Sequence, residues 1–258
     1  CSSERMASGS PFKTSLLRAF RVSGRFKVMT PTPWETSLST VPLPNSVVVM
    51  FCPLQPESAP ILPPGGIAVP SIAGVVLLPG AGGTKEHPTL RALEDSLAPL
   101  PVVRHEFSYR REGKRTPPRA PKLVSELFEE CQKISAQLGC DPADLVFGGR
   151  SMGGRVCSMA VAEGMSAAGL VLLSYPLHPP SKPDKLRVDH FGAIDVPCLF
   201  VSGDNDPFGS PTEFETHLDR INSDVSAKFL KGGRHDPSNR SQRENIVETV
   251  SEWLAALP

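Results

Sequence analysis

The sequence predicts an α/β domain in which a mainly parallel central sheet carries helices on both faces. From Ser46 onward, short runs of apolar, largely β-branched residues alternate with segments of helical periodicity. The apolar runs are continuous, which is typical of strands that are buried on both faces of a sheet. The chain is 40% hydrophobic and 21% charged, a composition that indicates a globular domain with a sizeable core.

The chain is predicted to comprise a flexible extension over residues 1–45 and one folded domain over residues 46–258. Residues 1–30 contain six lysines or arginines and one acidic residue, a composition that resembles an organelle transit peptide. The alternative is a fragment or an over-extended translation whose true start is Met6 or Met29. The following residues, up to residue 45, are rich in Pro, Ser and Thr, which is typical of a linker.

Charge and cysteine usage restrict the partners and the compartment. Lys plus Arg equal Asp plus Glu at 27 each, so no net field draws the protein to nucleic acid or to an anionic membrane. No apolar run approaches the roughly 18 residues that span a bilayer. The six cysteines contain no C-x-x-C pair, and we interpret them as reduced thiols. We therefore expect a cytoplasmic protein, with an organelle as the alternative if residues 1–30 are a transit peptide.

The apolar runs predict seven strands, at residues 47–51, 73–78, 102–109, 145–148, 169–174, 197–202 and 226–230. Helical spacing predicts helices around residues 90–97, 123–138 and 156–160, and after residues 210 and 241. Gly139 is the predicted C-terminal cap of the second helix. Two helices are predicted to begin with capping boxes, Ser210 with Glu213 and Ser241 with Glu244.

A candidate nucleophile lies at a strand-to-helix corner. The sequence Gly149-Arg150-Ser151-Met152-Gly153 matches G-x-S-x-G, follows a buried strand and precedes an amphipathic helix. A serine at such an elbow adopts a positive φ that projects its hydroxyl above the sheet edge, and the flanking glycines give the backbone room to turn. The alternative is that the glycines only permit close packing of helix and strand.

A serine hydroxyl needs a base and an orienting carboxylate to act as a nucleophile. His235 is the predicted base because it follows the last strand in a glycine-rich loop. Asp206 is the preferred carboxylate, and Asp204, two residues earlier, is the alternative. The order Ser151, Asp206, His235 is that of one widespread hydrolase fold. Of the remaining histidines, those in loops (His87, His178 and His190) are candidates to line the pocket. Those in a predicted helix or strand (His217 and His105) are expected to be surface or packing residues.

A tetrahedral intermediate also needs two donors for its oxyanion. The backbone amide of Met152 is one candidate. The other comes from the turn Pro79-Gly80-Ala81-Gly82-Gly83, which follows an apolar strand and offers the amides of Ala81 or Gly82. A phosphate-binding loop is the competing interpretation of this turn, but the Gly-Lys-Ser/Thr ending of a P-loop is missing.

Five segments together resemble a known family: Pro79-Gly-Ala-Gly-Gly, Gly149-Arg-Ser-Met-Gly-Gly, Ser174-Tyr-Pro-Leu-His-Pro-Pro, Gly203-Asp-Asn-Asp-Pro-Phe and Gly233-Arg-His-Asp. They are similar to the compact α/β-hydrolases, in the branch that includes testis-expressed protein thirty and subunit three of the non-specific lethal complex. Dienelactone hydrolases are neighbours of this branch. The resemblance covers roughly residues 70–256 and implies a sheet with a minimal or absent lid, the Ser-Asp-His triad named above and a hydrolase activity.

Two features depart from that resemblance. Dienelactone hydrolases use a cysteine nucleophile, whereas this chain has Ser151. The family pattern also says nothing about residues 1–45. Some relatives are subunits of larger assemblies, so the fold alone does not establish turnover.

Residues 174–191 are expected to arch over the site, where larger relatives carry a cap domain. Tyr175 and His178 are candidate substrate contacts, as is Arg187. Arg110 or Arg111, near another strand end, is a further candidate for a carboxylate or phosphate on the substrate. Arg150 either orients substrate or braces the elbow. For each of the loop residues the alternative is a solvated side chain.

The leading hypothesis is an enzyme that hydrolyses a carboxylic ester or thioester of a small molecule through an acyl-Ser151 intermediate, without a metal or an organic cofactor. The second hypothesis is a non-catalytic interaction subunit that keeps the fold. A third, a cofactor-free haloperoxidase or carbon–carbon hydrolase, uses the same three side chains on a different substrate.

Overall fold

A computed structural model describes residues 72–237 and 239–257 of the chain. Its sheet has six strands, all parallel, in the order β2-β1-β3-β4-β5-β6. The predicted α/β class with a parallel sheet is therefore confirmed. The predicted strand at residues 47–51 and the predicted domain boundary at residue 46 lie outside the described residues.

The strands are β1 (Gly74–Leu78), β2 (Val102–Arg104), β3 (Leu145–Arg150), β4 (Gly169–Leu173), β5 (Cys198–Gly203) and β6 (Val225–Leu230). The helices are α1 (Pro88–Leu97), α2 (Ser108–Arg111), α3 (Ala120–Leu138), α4 (Met152–Ala162), α5 (Pro211–Leu218) and α6 (Arg240–Ala255). Short 3-10 turns precede β3 and β5.

Two hydrophobic layers cover the two faces of the sheet, because successive strand residues point to opposite sides. Val75 and Leu77 of β1 pack in one layer with apolar residues of α1 and α6. Val76 and Leu78 pack in the other layer with residues of α3 and α4. All four side chains are fully buried, which explains why the strands are continuously apolar in sequence.

The strand order reverses direction between β1 and β3, which lie side by side although β2 lies between them in sequence. Ligands of open parallel sheets bind at the carboxyl edge near such a reversal. The glycine-rich turn follows β1 and Ser151 follows β3. Both segments that the sequence singled out therefore leave the sheet at this point.

The predicted strand over residues 102–109 is wrong in its second half. β2 ends at Arg104, and Tyr109 lies in the short helix α2. Glu126 of α3 accepts hydrogen bonds from both the amide and the hydroxyl of Ser108, the latter at 2.9 Å. These contacts hold the first turn of α2 and draw the chain away from the sheet edge.

Helix termini confirm one predicted capping box and correct the other. Ser210 and Glu213 exchange the reciprocal bonds of a capping box at the start of α5. The cap of α6 is Asn239, whose side chain accepts from the amide of Gln242 at 2.8 Å. Ser241 lies inside the first turn, because asparagine two residues earlier already satisfies the free amide there. Gly139 caps α3 in the left-handed conformation, with φ of 68°, as predicted.

The four described cysteines are free thiols. Burial raises the pKa of Cys131 to about 11 and that of Cys198 to about 12. Thiols with raised pKa values are poor nucleophiles. None of the described helices combines the length and the hydropathy of a membrane-spanning segment.

Candidate active site

Ser151 occupies a strained corner between β3 and α4, with φ of 52° and ψ of −113°. The neighbouring glycines make this corner sterically possible. A methyl group on Gly149 or Gly153 would overlap the main-chain carbonyl of Leu78, where β1 ends. The elbow is thus wedged against the end of β1, and the strained backbone is held by the surrounding structure.

Ser151, His235 and Asp206 form a continuous chain of side-chain contacts. The Oγ of Ser151 lies 2.8 Å from Nε2 of His235, and Nδ1 of His235 lies 2.8 Å and 3.0 Å from the two carboxylate oxygens of Asp206. These residues follow the carboxyl ends of β3, β6 and β5. The Asp206 side chain is 1% exposed and that of His235 is 19% exposed. The imidazole therefore lies between the buried carboxylate of Asp206 and the partly exposed Ser151.

Asp206, and not Asp204, is the carboxylate that contacts the imidazole. One carboxylate oxygen of Asp206 also accepts from the amide of Phe208 at 2.9 Å, in a turn that fixes the carboxylate. The amide of Asp204 instead donates to the carbonyl of Leu230 and continues the pairing of β5 with β6. The sequence alternatives at these two aspartates are thereby separated by geometry.

Phe208 is a site residue that sequence reasoning missed. Its ring stacks on the imidazole of His235 with ring centroids 4.0 Å apart and an interplanar angle of 27°. This contact limits rotation of the imidazole about the Asp206 contact. The sequence does place an aromatic residue two positions after Asp206. This spacing alone does not show whether the ring points toward the histidine.

Arg150 braces the loop that carries His235. Its guanidinium donates to the main-chain carbonyl of His235 at 3.0 Å and lies 3.2 Å from the carboxylate of Asp236. The same carboxylate oxygen lies 3.2 Å from Nε2 of His87. The Arg150 side chain is 12% exposed, so most of it faces protein groups rather than the entrance.

His87 is held in one tautomer. Its Nδ1 accepts from the amide of Thr89 at the start of α1, so its Nε2 carries the proton that faces Asp236. Burial, and secondarily the charge of Arg150, lower the pKa of His87. Only a neutral imidazole can accept a hydrogen bond at Nδ1 while it donates one from Nε2.

The glycine-rich turn after β1 lies against the nucleophile elbow. A Cβ on Gly80 would lie 3.5 Å from Cβ of Ser151. The carbonyl of Ala81 accepts from the hydroxyl of Tyr109 at 3.2 Å, while Gly82 is exposed and a methyl group added to it would have no heavy atom within 4 Å. Met152 is the first residue of α4, and the first amides of a helix have no acceptor within it.

Two predicted substrate contacts need correction. Tyr175 is 0% exposed, its ring packs against Phe191 and Phe200, and its hydroxyl donates to the carbonyl of Arg187 at 2.8 Å. Tyr175 is therefore part of the core. His178 is buried as well, and its ring nitrogens face the carbonyl of Pro179 and the carboxylate of Glu213. Both side chains anchor the loop from within, and they leave little (His178) or no (Tyr175) surface for a substrate.

A second serine–histidine pair lies on α4. The Oγ of Ser158 is 2.8 Å from Nε2 of His190 and donates to the carbonyl of Arg155. Ser158 is fully buried in the middle of the helix, and within residues 72–237 and 239–257 no carboxylate contacts Nδ1 of His190. This pair lacks the exposed oxygen and the orienting acid that nucleophilic catalysis needs, so it links α4 to the loop that precedes β5.

Over the described ranges, no group of three or more His, Cys, Asp or Glu side chains is arranged to hold a metal ion. The arrangement that these residue types do form is the contact chain from Ser151 through His235 to Asp206 at the carboxyl edge of the sheet.

Comparison with known proteins gives one family. A family model described as an alpha/beta hydrolase domain matches residues 71–256 of the chain. The match spans every described strand and helix.

Solved structures with the same fold include hydrolases and a thioesterase. Est1E from Butyrivibrio proteoclasticus, solved with ferulic acid bound, superposes with a TM-score of 0.57 at 14% identity, over 73% of this chain and 90% of that chain. A dienelactone hydrolase from Anabaena variabilis gives 0.55 at 18% identity, over 70% and 85%. The type II thioesterase BorB from the borrelidin biosynthetic cluster gives 0.52 at 18% identity, over 72% and 94%. Identities this low establish a shared fold.

Proposed function

This chain belongs to the alpha/beta hydrolase domain family, and from that premise we propose that it is a serine hydrolase that cleaves a carboxylic ester or thioester of a small molecule through an acyl-Ser151 intermediate. The observation that carries the proposal is the 2.8 Å contact between Oγ of Ser151 and Nε2 of His235. His235 acts as general base and Asp206 orients it.

The proposed first step is attack of Ser151 on the substrate carbonyl. The hydroxyl proton moves to Nε2 of His235 as the Oγ–carbon bond forms. Asp206 faces Nδ1 of the same ring, which keeps the proton on Nδ1 and leaves the Nε2 lone pair directed at the hydroxyl. The carboxylate also stabilises the imidazolium that results.

The carbonyl oxygen becomes negatively charged in this step and requires hydrogen-bond donors. The amide of Met152, at the positive end of α4, is one proposed donor. The amide of Ala81 or Gly82, in the turn packed against the elbow, is the other. Removing one such donor typically costs about 3 kcal/mol of transition-state stabilisation.

The intermediate then collapses and the leaving alcohol or thiol takes the proton from Nε2 of His235. This releases the first product and leaves the acyl group on Ser151. In the second half of the reaction, His235 removes a proton from water, and the hydroxide attacks the acyl carbon. The proton returns to Oγ of Ser151 as the carboxylic acid departs.

A dienelactone hydrolase and a type II thioesterase are among the proteins that share this fold, and another neighbour was solved with ferulic acid bound. At such low sequence identity these similarities are evidence only for a shared fold. The choice of an acyl substrate therefore rests on the side-chain geometry of this chain.

The decisive experiment is labelling by a fluorophosphonate probe, which reacts with an activated serine. We expect the wild-type protein to be labelled and Ser151→Ala to remain unlabelled. Ser158→Ala is the matched control, because it removes a second serine that contacts a histidine, and it should be labelled like the wild type. Labelling of Ser151→Ala, or none of the folded wild type, contradicts the proposal.

A further inference from the structure

Two arginines on neighbouring elements have no counter-ion among the described residues. Arg155 lies on α4 and Arg187 lies in the loop between β4 and β5. In the part of the chain that the structure describes, neither guanidinium forms an ion pair or a side-chain hydrogen bond, and the Nε of Arg155 is buried without a partner. A buried donor without an acceptor is uncommon in proteins and calls for a specific explanation.

The position of Arg155 relates it directly to the nucleophile. Its amide donates to the carbonyl of Ser151 at 3.0 Å, so it stands one helical turn, about 6 Å of rise, below the elbow. Side chains of a helix lean toward its N-terminus. The side chain of Arg155 is therefore expected to lean toward the end of α4 that carries Ser151.

The position of Arg187 is fixed by the buried core of the same loop. Its carbonyl accepts from the hydroxyl of Tyr175, and its amide donates to the carbonyl of Leu177 at 2.8 Å. Tyr175 lies two residues after the carboxyl end of β4, which pairs with β3. The loop therefore begins at the sheet edge from which Ser151 projects, and these bonds fix the backbone of Arg187 to its first residues.

The buried contacts around the two arginines link their elements to each other. Ser158, one turn beyond Arg155, bonds to His190 of the loop. Burial, and then the positive charge of Arg155, lower the pKa of Arg187. Arginine side chains are cationic, so the two charges repel each other, and no ion pair among the described residues compensates either of them. An anion bound between them would remove their repulsion and satisfy the free donors.

We propose that Arg155 and Arg187 bind an anionic group, a carboxylate or a phosphate, on the substrate whose acyl carbon reacts with Ser151. The planar fork of arginine suits both anions, because each presents two oxygens at matching spacing. The inference rests on the proposed function and names its substrate class: a short acyl chain that ends in an anion, such as a half-ester of a dicarboxylic acid.

Paired esters test the inference. The probes are para-nitrophenyl hemiglutarate, the uncharged para-nitrophenyl valerate of the same chain length, and para-nitrophenyl phosphonobutanoate. We expect the wild-type kcat/KM to favour an anionic ester over valerate by about 10- to 100-fold, the effect of one or two charge-assisted hydrogen bonds. The two anionic esters distinguish a carboxylate site from a phosphate site.

Variants separate the site from general charge effects. Arg155→Gln and Arg187→Gln should each lower the anionic-to-neutral ratio about tenfold, and Arg187→Lys should lower it less. Lys185→Gln is the matched control, since it removes one positive charge from an exposed position of the same loop. This variant should keep the wild-type ratio.

A binding measurement makes the test independent of turnover and of variant folding. Glutarate or methylphosphonate, at constant ionic strength, should raise the urea midpoint of the wild type, because a ligand stabilises the state that binds it. If the wild type hydrolyses valerate as well as both anionic esters, or if neither anion raises the midpoint, the inference is overturned while the hydrolase proposal stands. Absence of fluorophosphonate labelling would instead overturn the hydrolase proposal.

Discussion

The guanidinium of Arg150 donates a hydrogen bond of 3.0 Å to the main-chain carbonyl of His235. The residue that precedes the proposed nucleophile is thus tied to the residue proposed as its base, although they are far apart in sequence. The contact couples the elbow to the loop after β6, so the distance between serine and imidazole does not depend on loop conformation alone. Of the two roles open to Arg150 from sequence, the geometry favours bracing.

Arg150→Gln should lower kcat about 10- to 100-fold while KM changes less than about threefold, because a displaced imidazole slows proton transfer without removing a substrate contact. Steady-state kinetics on a para-nitrophenyl ester provide the measurement. Arg150→Lys should recover part of the lost kcat, since an ammonium can still reach one acceptor. Arg91→Gln, an exposed arginine on α1, serves as the control. A large rise in KM with unchanged kcat would show that Arg150 binds substrate instead.

Asp206→Asn should lower kcat by about a thousandfold or more, because an amide facing Nδ1 stabilises the wrong tautomer of His235. Asp204→Asn is the matched substitution two residues away and should change kcat less than about threefold, because Asp204 makes no contact with the imidazole. The kinetics are measured on the same ester for both variants. Equal losses in the two variants would contradict the assignment of Asp206 as the orienting acid.

Gly153→Ala should destabilise the protein by about 2–3 kcal/mol or prevent folding, because the added methyl overlaps the carbonyls of Leu78 and Pro79. Backbone oxygens at the end of a buried strand cannot move aside as a flexible side chain can. Gly82→Ala provides the comparison, since no heavy atom lies within 4 Å of its added methyl, and its cost should stay below about 0.5 kcal/mol. Urea unfolding measures both. Equal midpoints would contradict the close packing of the elbow against the end of β1.

The positions of most strands in the sequence could be predicted, and so could the elbow at Ser151. Continuous apolar runs indicate buried strands, and the spacing of nearby glycines indicates a sharp turn of the backbone. The five β-runs at residues 73–78, 145–148, 169–174, 197–202 and 226–230 all became strands near their predicted bounds. The convergence of Ser151, Asp206 and His235 followed from the rule that parallel strands end at one edge. The strands and the elbow were thus predicted from local residue patterns, and the meeting of the three side chains was predicted from the topology of a parallel sheet.

Side-chain direction could not be predicted in the same way. Tyr175 and His178 lie in the loop that the topology puts above the site, yet both point inward and anchor it. Phe208 points at His235 for reasons set by the turn at Asp206. The helix α2 forms because Glu126, eighteen residues after Ser108, holds its first turn. Each of these depends on a long-range contact that no sequence window contains.

Asn239→Ala should destabilise the protein by about 1 kcal/mol, because the side chain of Asn239 satisfies the free amide of Gln242 at the start of α6. Ser241→Ala tests the alternative cap that the sequence suggested and should change the unfolding free energy by less than about 0.5 kcal/mol. Urea unfolding measures both. A larger loss in Ser241→Ala would restore the capping box of Ser241 and Glu244.

His190 should make the protein less stable in mild acid. Burial, and then the charge of Arg155, lower the pKa of His190 to about 4, whereas a histidine of the unfolded chain titrates near about 6.5. Between these values the unfolded chain binds a proton that the folded chain does not, so stability falls as the pH falls through this window. The stabilising contribution is complete above about pH 6.5. Allowing for the partial exposure of the ring, we expect a loss of about 2 kcal/mol between pH 7 and pH 4.5.

His190→Gln isolates this contribution because glutamine can keep a bond to Ser158 and does not titrate. The difference in unfolding free energy between about pH 7 and pH 4.5, from urea titrations, should shrink by about 2 kcal/mol in this variant. Lys185→Gln, in the same loop, should keep the wild-type difference, because it leaves the imidazole of His190 in place. Other histidines, among them His87 and His105, also have lowered pKa values, so the stability of every variant is expected to change with pH. The test therefore compares the size of this change in His190→Gln with its size in the wild type. An unchanged difference in His190→Gln would mean that this imidazole is protonated in the folded protein, and that the positive charge of Arg155 does not act on it.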